Sequence, residues 1–172
     1  MLVIVSALAC DPVPAPALMY SEDFESVCDG APCGWSQRTG EPSQATYVET
    51  FHPGEHGLRL SGSVSVRGPE APEDALRLRG SSVTFEAATR CDLGSFLTAT
   101  VVIRTDAGEM FDASALVTSE PEWGRSGVRL DFIDTIVGGH VASVILDKEG
   151  GGVCEVSDMT VDIALVCEDA CC

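Results

Sequence analysis

Positive charge is scarce in this sequence. Ten Lys and Arg stand against 27 Asp and Glu, giving a formal charge of −17 and a pI near 4.2. So acidic a surface repels nucleic acid and anionic lipid, which argues against any partner gripped through a phosphate backbone. Aromatic side chains are few, with only two Trp and two Tyr, a weak supply for stacking sugar rings. There is no C-x-x-C pair, so a zinc ribbon is not expected. No G-x-S-x-G elbow, P-loop or dinucleotide fingerprint occurs, and a non-catalytic protein is expected, although carboxylates that pair only in space are invisible to sequence. Repeats of fixed period and amphipathic helices of useful length are also missing.

What is present is apolar and cysteine-rich. With 172 residues, 45% of them hydrophobic, one domain with a full core is expected. Eight cysteines fit an oxidising compartment with disulfides better than a reduced cytoplasm. The clearest element is residues 96–106, F-L-T-A-T-V-V-I-R-T-D. Leu97, Ala99, Val101 and Ile103 share one dry face; Phe96, Thr98, Thr100, Val102 and Arg104 share a mixed one. Other strands are read at 21–25, 47–51, 57–61, 64–67, 82–87 and 141–146. Two more carry Phe111, Ala113, Ala115 and Val117, and Val128, Leu130 and Phe132; the last runs over 156–166. Residues 75–79 read as a strand or as one helical turn. Short strands punctuated by Gly and Pro indicate an all-β fold, a two-sheet antiparallel sandwich.

Residues 1–10, M-L-V-I-V-S-A-L-A-C, resemble the end of a bacterial lipoprotein signal peptide. Ala7-Leu8-Ala9-Cys10 stands as the lipobox, and the resemblance implies cleavage before Cys10 and its lipidation. The favoured Leu sits one place late, and no Lys or Arg precedes the apolar run; a start codon assigned too late would account for the latter. The alternative is a buried N-terminal strand. Residues 11–19 open D-P-V-P-A-P-A, an extended proline-rich tether. The folded domain is expected over 20–167, with a Cys-rich tail at 168–172. The localisation that follows is the cell envelope, the membrane being touched only through a lipid anchor.

Asp23-Phe24-Glu25, Gly34-Trp35, His56-Gly57-Leu58-Arg59-Leu60, Gly94, Arg104-Thr105-Asp106-Ala107-Gly108, Trp123 and Asp158 follow one another in an order that resembles jelly-roll carbohydrate-binding modules of the family 4/9 type, and more broadly galactose-binding-like domains. The opening D-F-E with C…C-G-W is also similar to MAM adhesion domains. Both relatives imply a jelly-roll sandwich. The first implies a structural calcium held by Glu25 and Asp158, since calcium gathers several oxygen ligands; the alternative is two ordinary surface acids. It also implies a glycan partner, an envelope protein being the other candidate; the mixed face of 96–106 offers Phe96, Thr98 and Arg104 as ligand residues if it is a groove, and otherwise that face is covered and the protein is purely structural. Tyr47, Phe51 and Phe111 are weaker candidates. If Asp158 meets Glu25, Cys167 lies roughly 30 Å away at about 3.3 Å per residue. Cys28 should then pair with Cys33, Cys91 with Cys154, and Cys167 with Cys171 or Cys172. His52-x-x-Glu55-His56 matches an inverted zincin string, but Pro53 and Gly54 argue against the helix it needs, so a polar turn is expected.

Overall fold

The computed structural model describes residues 18–49, 55–70, 79–118, 120–137 and 139–164. These form thirteen strands: β1 (Leu18–Glu22), β2 (Val27–Cys28), β3 (Ala31–Pro32), β4 (Ser36–Thr39), β5 (Ala45–Glu49), β6 (His56–Ser61), β7 (Val64–Arg67), β8 (Arg79–Cys91), β9 (Phe96–Arg104), β10 (Met110–Thr118), β11 (Gly124–Val137), β12 (His140–Glu149) and β13 (Val153–Ala164). The only helical element among the described residues is a 3-10 turn at Pro42–Gln44.

The strands build a two-sheet antiparallel jelly-roll sandwich. One sheet runs β10-β9-β12-β7-β4; the other runs β11-β8-β13-β6-β5, with β1 also paired to β13. From β8 onward the chain alternates between sheets, as hairpin β9–β10 in one is followed by β11 in the other, β12 in the first and β13 in the second. β2 and β3 form a small separate hairpin.

Alternation puts the expected dry face of β9 in the core: Leu97, Ala99, Val101 and Ile103 are at most 1% exposed. Val83, Phe85 and Ala87 of β8, with Leu130 and Phe132 of β11, meet it from the other sheet. Six register shifts interrupt the ladders of the described strands, and two of them change which residues of the central strands face inward. One falls between Val141 and Ser143 of β12, and the other between Ser157 and Thr160 of β13, where Asp158 takes φ 45°. Each adds a residue, so Val141 and Val144, and likewise Val156 and Met159, all point inward although three positions separate them.

β13 is the hub of its sheet. β8 lies along one edge, and the other edge is shared end to end: β6 takes Val153 to Val156 and β1 takes Met159 to Asp162. The bulge at Asp158 marks the change of partner.

Several sequence boundaries move. The first strand begins at Leu18, inside the stretch read as tether, and ends at Glu22, because pairing with β13 outweighs the local polar composition. The chain then turns at Phe24, φ 59°. Cys91 is the last residue of β8 and Cys154 lies within β13, directly opposite it. The Cys91–Cys154 and Cys28–Cys33 disulfides are both formed, with Cα–Cα distances of 4.1 and 4.8 Å. Cys10, Cys167, Cys171 and Cys172, most of the tether, and most of 75–79 lie outside the described residues.

Candidate binding groove

The outer face of the five-stranded sheet is built from the mixed side of β9. Cross-strand registry fixes its rows. Leu116, Thr98, Asp147, Ser65 and Thr39 form one row across all five strands; Ser114, Thr100, Ile145 and Arg67 form the next. Phe96 stands opposite Glu149 at one end, and Arg104 stands between Met110 and His140 at the other. Residues opposite each other in such rows have Cβ atoms about 4.5–5.5 Å apart.

Part of this face is an open groove of about 320 Å3, lined by Thr39, Ser65, Thr98, Thr100, Ser114 and Asp147 among others. That is at the lower end of the size of small-ligand sites. Its lining is rich in hydroxyls. Thr100 and Ser114 bond to each other at 2.7 Å, but Ser65 Oγ is buried and has no hydrogen-bond partner among the described residues. A buried hydroxyl left without a partner is costly. Phe96 and Leu116 are 47% and 54% exposed and give this end of the face an apolar rim.

Lys148 follows Asp147 but turns inward. Its side chain is 1% exposed, and its ammonium donates to the carbonyls of Gly150 and Gly152, both at 2.6 Å. Burial pushes its pKa below the usual lysine range, with Asp92 pulling it partly back. It therefore tightens the β12–β13 turn, and neither Asp147 nor Glu149 makes an ion pair among the described residues.

Arg104 is not in the groove. It lies six residues from Thr98, about 20 Å along a strand, where it and Arg67 share Glu70 at 3.7 and 3.5 Å. Gly139 holds this end close: any Cβ there would strike the Arg104 carbonyl and Thr105 Cα, and its φ of 107° favours glycine. The mixed face thus brings Phe96 and Thr98 together and sets Arg104 apart.

The opposite outer face is closed by its own charges. Glu155, 2% exposed, is clamped by Arg59 (Nε 2.7 Å) and Arg90 (Nε 2.5 Å), and Arg90 lies over the Trp123 ring. Arg125 pairs with Asp158 and Glu86, and Arg129 with Asp131. The Asp158 hydrogen bond raises the pKa of Arg125 further.

Glu25 and Asp158 both flank the place where β13 changes partners. Glu25 accepts the His56 backbone N–H at 3.1 Å and contacts His56 Nδ1 at 3.0 Å, while Ser157 Oγ donates to the His56 carbonyl. Asp158 is held by Arg125 at 2.5 Å. Tyr47 stacks on the His56 ring, and burial followed by Glu25 and Asp23 raises its pKa. Among the described residues no group of three or more His, Cys, Asp or Glu could hold a metal. With both carboxylates already engaged by the chain's own donors, this arrangement does not fit calcium, which takes six to eight oxygens. His56 opens a strand rather than lying on a helix, and His52 lies outside the described residues.

Trp35 and Phe111 pack against the core, and Phe51 is outside the described residues. Sequence reasoning missed Ser65, Ser114, Asp147 and Glu149. Their signal was faint: polar residues are scattered along β7, β10 and β12, and only registry shows that these four share a face with Thr98.

No protein-family model and no curated protein sequence matches the chain. Solved structures do. The xylan-binding CBM22-1 domain of Paenibacillus barcinonensis Xyn10C is 16% identical, with 91% of this chain and 100% of that domain covered and a TM-score of 0.54. CtCBM11 is 13% identical over 90% of this chain and 100% of its own, TM-score 0.55. The CBM22-1–GH10 modules of Clostridium thermocellum xylanase 10B, complexed with xylohexaose, are 14% identical over 87% of this chain and 29% of theirs, TM-score 0.54. At these identities the likeness is one of fold: the chain shares the jelly-roll β-sandwich of carbohydrate-binding modules.

Proposed function

We propose that this protein is a non-catalytic glycan-binding module whose site is the groove on the five-stranded sheet. The observation that carries the reading is Ser65: a buried hydroxyl without a partner, set among Thr98, Thr100, Ser114 and Thr39 on an open face. Sugars present hydroxyls that both donate and accept, so they suit such a lining, and Phe96 adds an exposed ring at its end. The paired charges of the opposite face favour the groove side over the other. The fold is consistent with this role, since its structural neighbours are carbohydrate-binding modules.

The test is a screen of neutral oligosaccharides by calorimetry. At least one should bind, and Ser65→Ala and Thr98→Ala should each weaken it by about tenfold or less, the worth of one neutral hydrogen bond. Absence of binding to every glycan would leave the alternative roles of the same face, adhesion to an envelope protein or a purely structural one.

We propose further that the protein is anchored at the cell envelope. Cys10 carries a lipid and the proline-rich stretch after it spaces the domain from the membrane at the cell envelope. Mass spectrometry of the protein expressed with its upstream sequence should find an acylated Cys10 at the mature N-terminus. An unmodified Cys10 within a longer chain would reject the anchor.

A further inference from the structure

We infer that the groove selects amino sugars: its ligand is a glycan carrying protonated amines. This rests on the glycan-binding reading above and narrows it to a substrate class. Two independent observations meet at one end of the groove. The first is charge. Asp147 lines the groove and Glu149 stands two residues on, on the same face; neither has an ion-pair partner among the described residues. Of the neighbouring cations, Lys148 directs its ammonium to the Gly150 and Gly152 carbonyls, and Arg67, one row from Asp147, pairs with Glu70, as does the more distant Arg104. The second is Ser65, directly across from Asp147, buried and unpartnered.

An ammonium supplies what this arrangement lacks. It is a donor only, and Asp147, Glu149 and the free lone pairs of Ser65 Oγ are acceptors. Phe96 stands opposite Glu149 on the neighbouring strand. A sugar ring laid against Phe96 would therefore bring a ring amine toward the carboxylate. A uronic acid there would face the two carboxylates of Asp147 and Glu149 and be disfavoured. Neutral sugars would gain the hydroxyl contacts alone.

The experiment is calorimetry of the full chain with glucosamine tetramer, N-acetylglucosamine tetramer, xylotetraose and a uronic-acid oligomer at about pH 5.5, where carboxylates are ionised and amines protonated. The glucosamine tetramer should bind about tenfold or more tightly than its acetylated counterpart, the scale of one charge-assisted hydrogen bond. Asp147→Asn should remove that preference, bringing the affinity for the glucosamine tetramer down to that for its acetylated counterpart. Asp131→Asn, on the opposite face and paired with Arg129, should change nothing. Equal affinity for amine and acetylated tetramers, or equal loss in both variants, would overturn the inference while neutral binding still upheld the groove as a glycan site. No binding of any oligomer would overturn both.

Discussion

Replacing Cys91 and Cys154 together with alanine lowers the unfolding free energy by about 4 kcal/mol, against about 2 kcal/mol for the Cys28–Cys33 pair. The difference comes from loop length. The first bridge spans 63 residues of sequence and the second five, and a longer closed loop takes more freedom from the unfolded chain. What the long loop contains matters too, because β9, β10, β11 and β12 all lie between the two cysteines. The bridge thus ties together the two ends of the segment that holds most of the groove. Both sulfurs are buried, Cys91 at 1% and Cys154 at 0% exposure, so mild reductant should reach the Cys28–Cys33 bridge first. Urea unfolding of the two double variants checks the ranking; equal midpoints would show that chain entropy does not set it.

Phe24→Ala should cost about 3–5 kcal/mol, the range for truncating a buried aromatic. Phe24 is fully buried and its ring centroid lies 5.4 Å from that of Trp35, whose Nε1 donates to Glu22. The same residue holds φ 59°, a conformation that costs a non-glycine residue on the order of 1–3 kcal/mol. Phe24 therefore occupies a strained turn because its side chain fills the core. Two effects separate in a pair of variants. Phe24→Gly loses the same ring but relieves the backbone, so it should unfold at higher urea than Phe24→Ala, the reverse of the usual order in extended chain. Alanine proving the more stable of the two would mean that the turn carries no such cost.

The legible part of the fold was the part ruled by the two-residue period. In 96–106 the β-branched run and strict alternation name both faces of β9, and burial follows that split. Where a bulge intervenes, the period fails. Val156 and Met159 share the core only because Asp158 is inserted between their registers, and nothing in the local composition announces that. Glu155 was just as opaque. It reads as one more acid in an acidic chain, yet it is almost wholly buried because Arg59 and Arg90 arrive from strands remote in sequence. Of the groove, Phe96 and Thr98 were readable from their own strand. Ser65 and Asp147 were not, since the site exists only across strands. Arg104 was assigned to the site because it shares a face with Thr98, but sharing a face does not measure distance along it.

The end-to-end sharing of one edge of β13 also decides how the domain carries mechanical load. Any pull on the chain ahead of Leu18 enters through β1, whose ladder in the six-stranded sheet runs along β13 alone. β6 grips the same edge beyond the bulge by its own bonds, so peeling β1 away stops at Asp158. The five-stranded sheet shares no ladder with β1. A ligand seated on it is therefore insulated from tension at the N-terminal end, and the first strand can yield like a fuse while the groove keeps its shape.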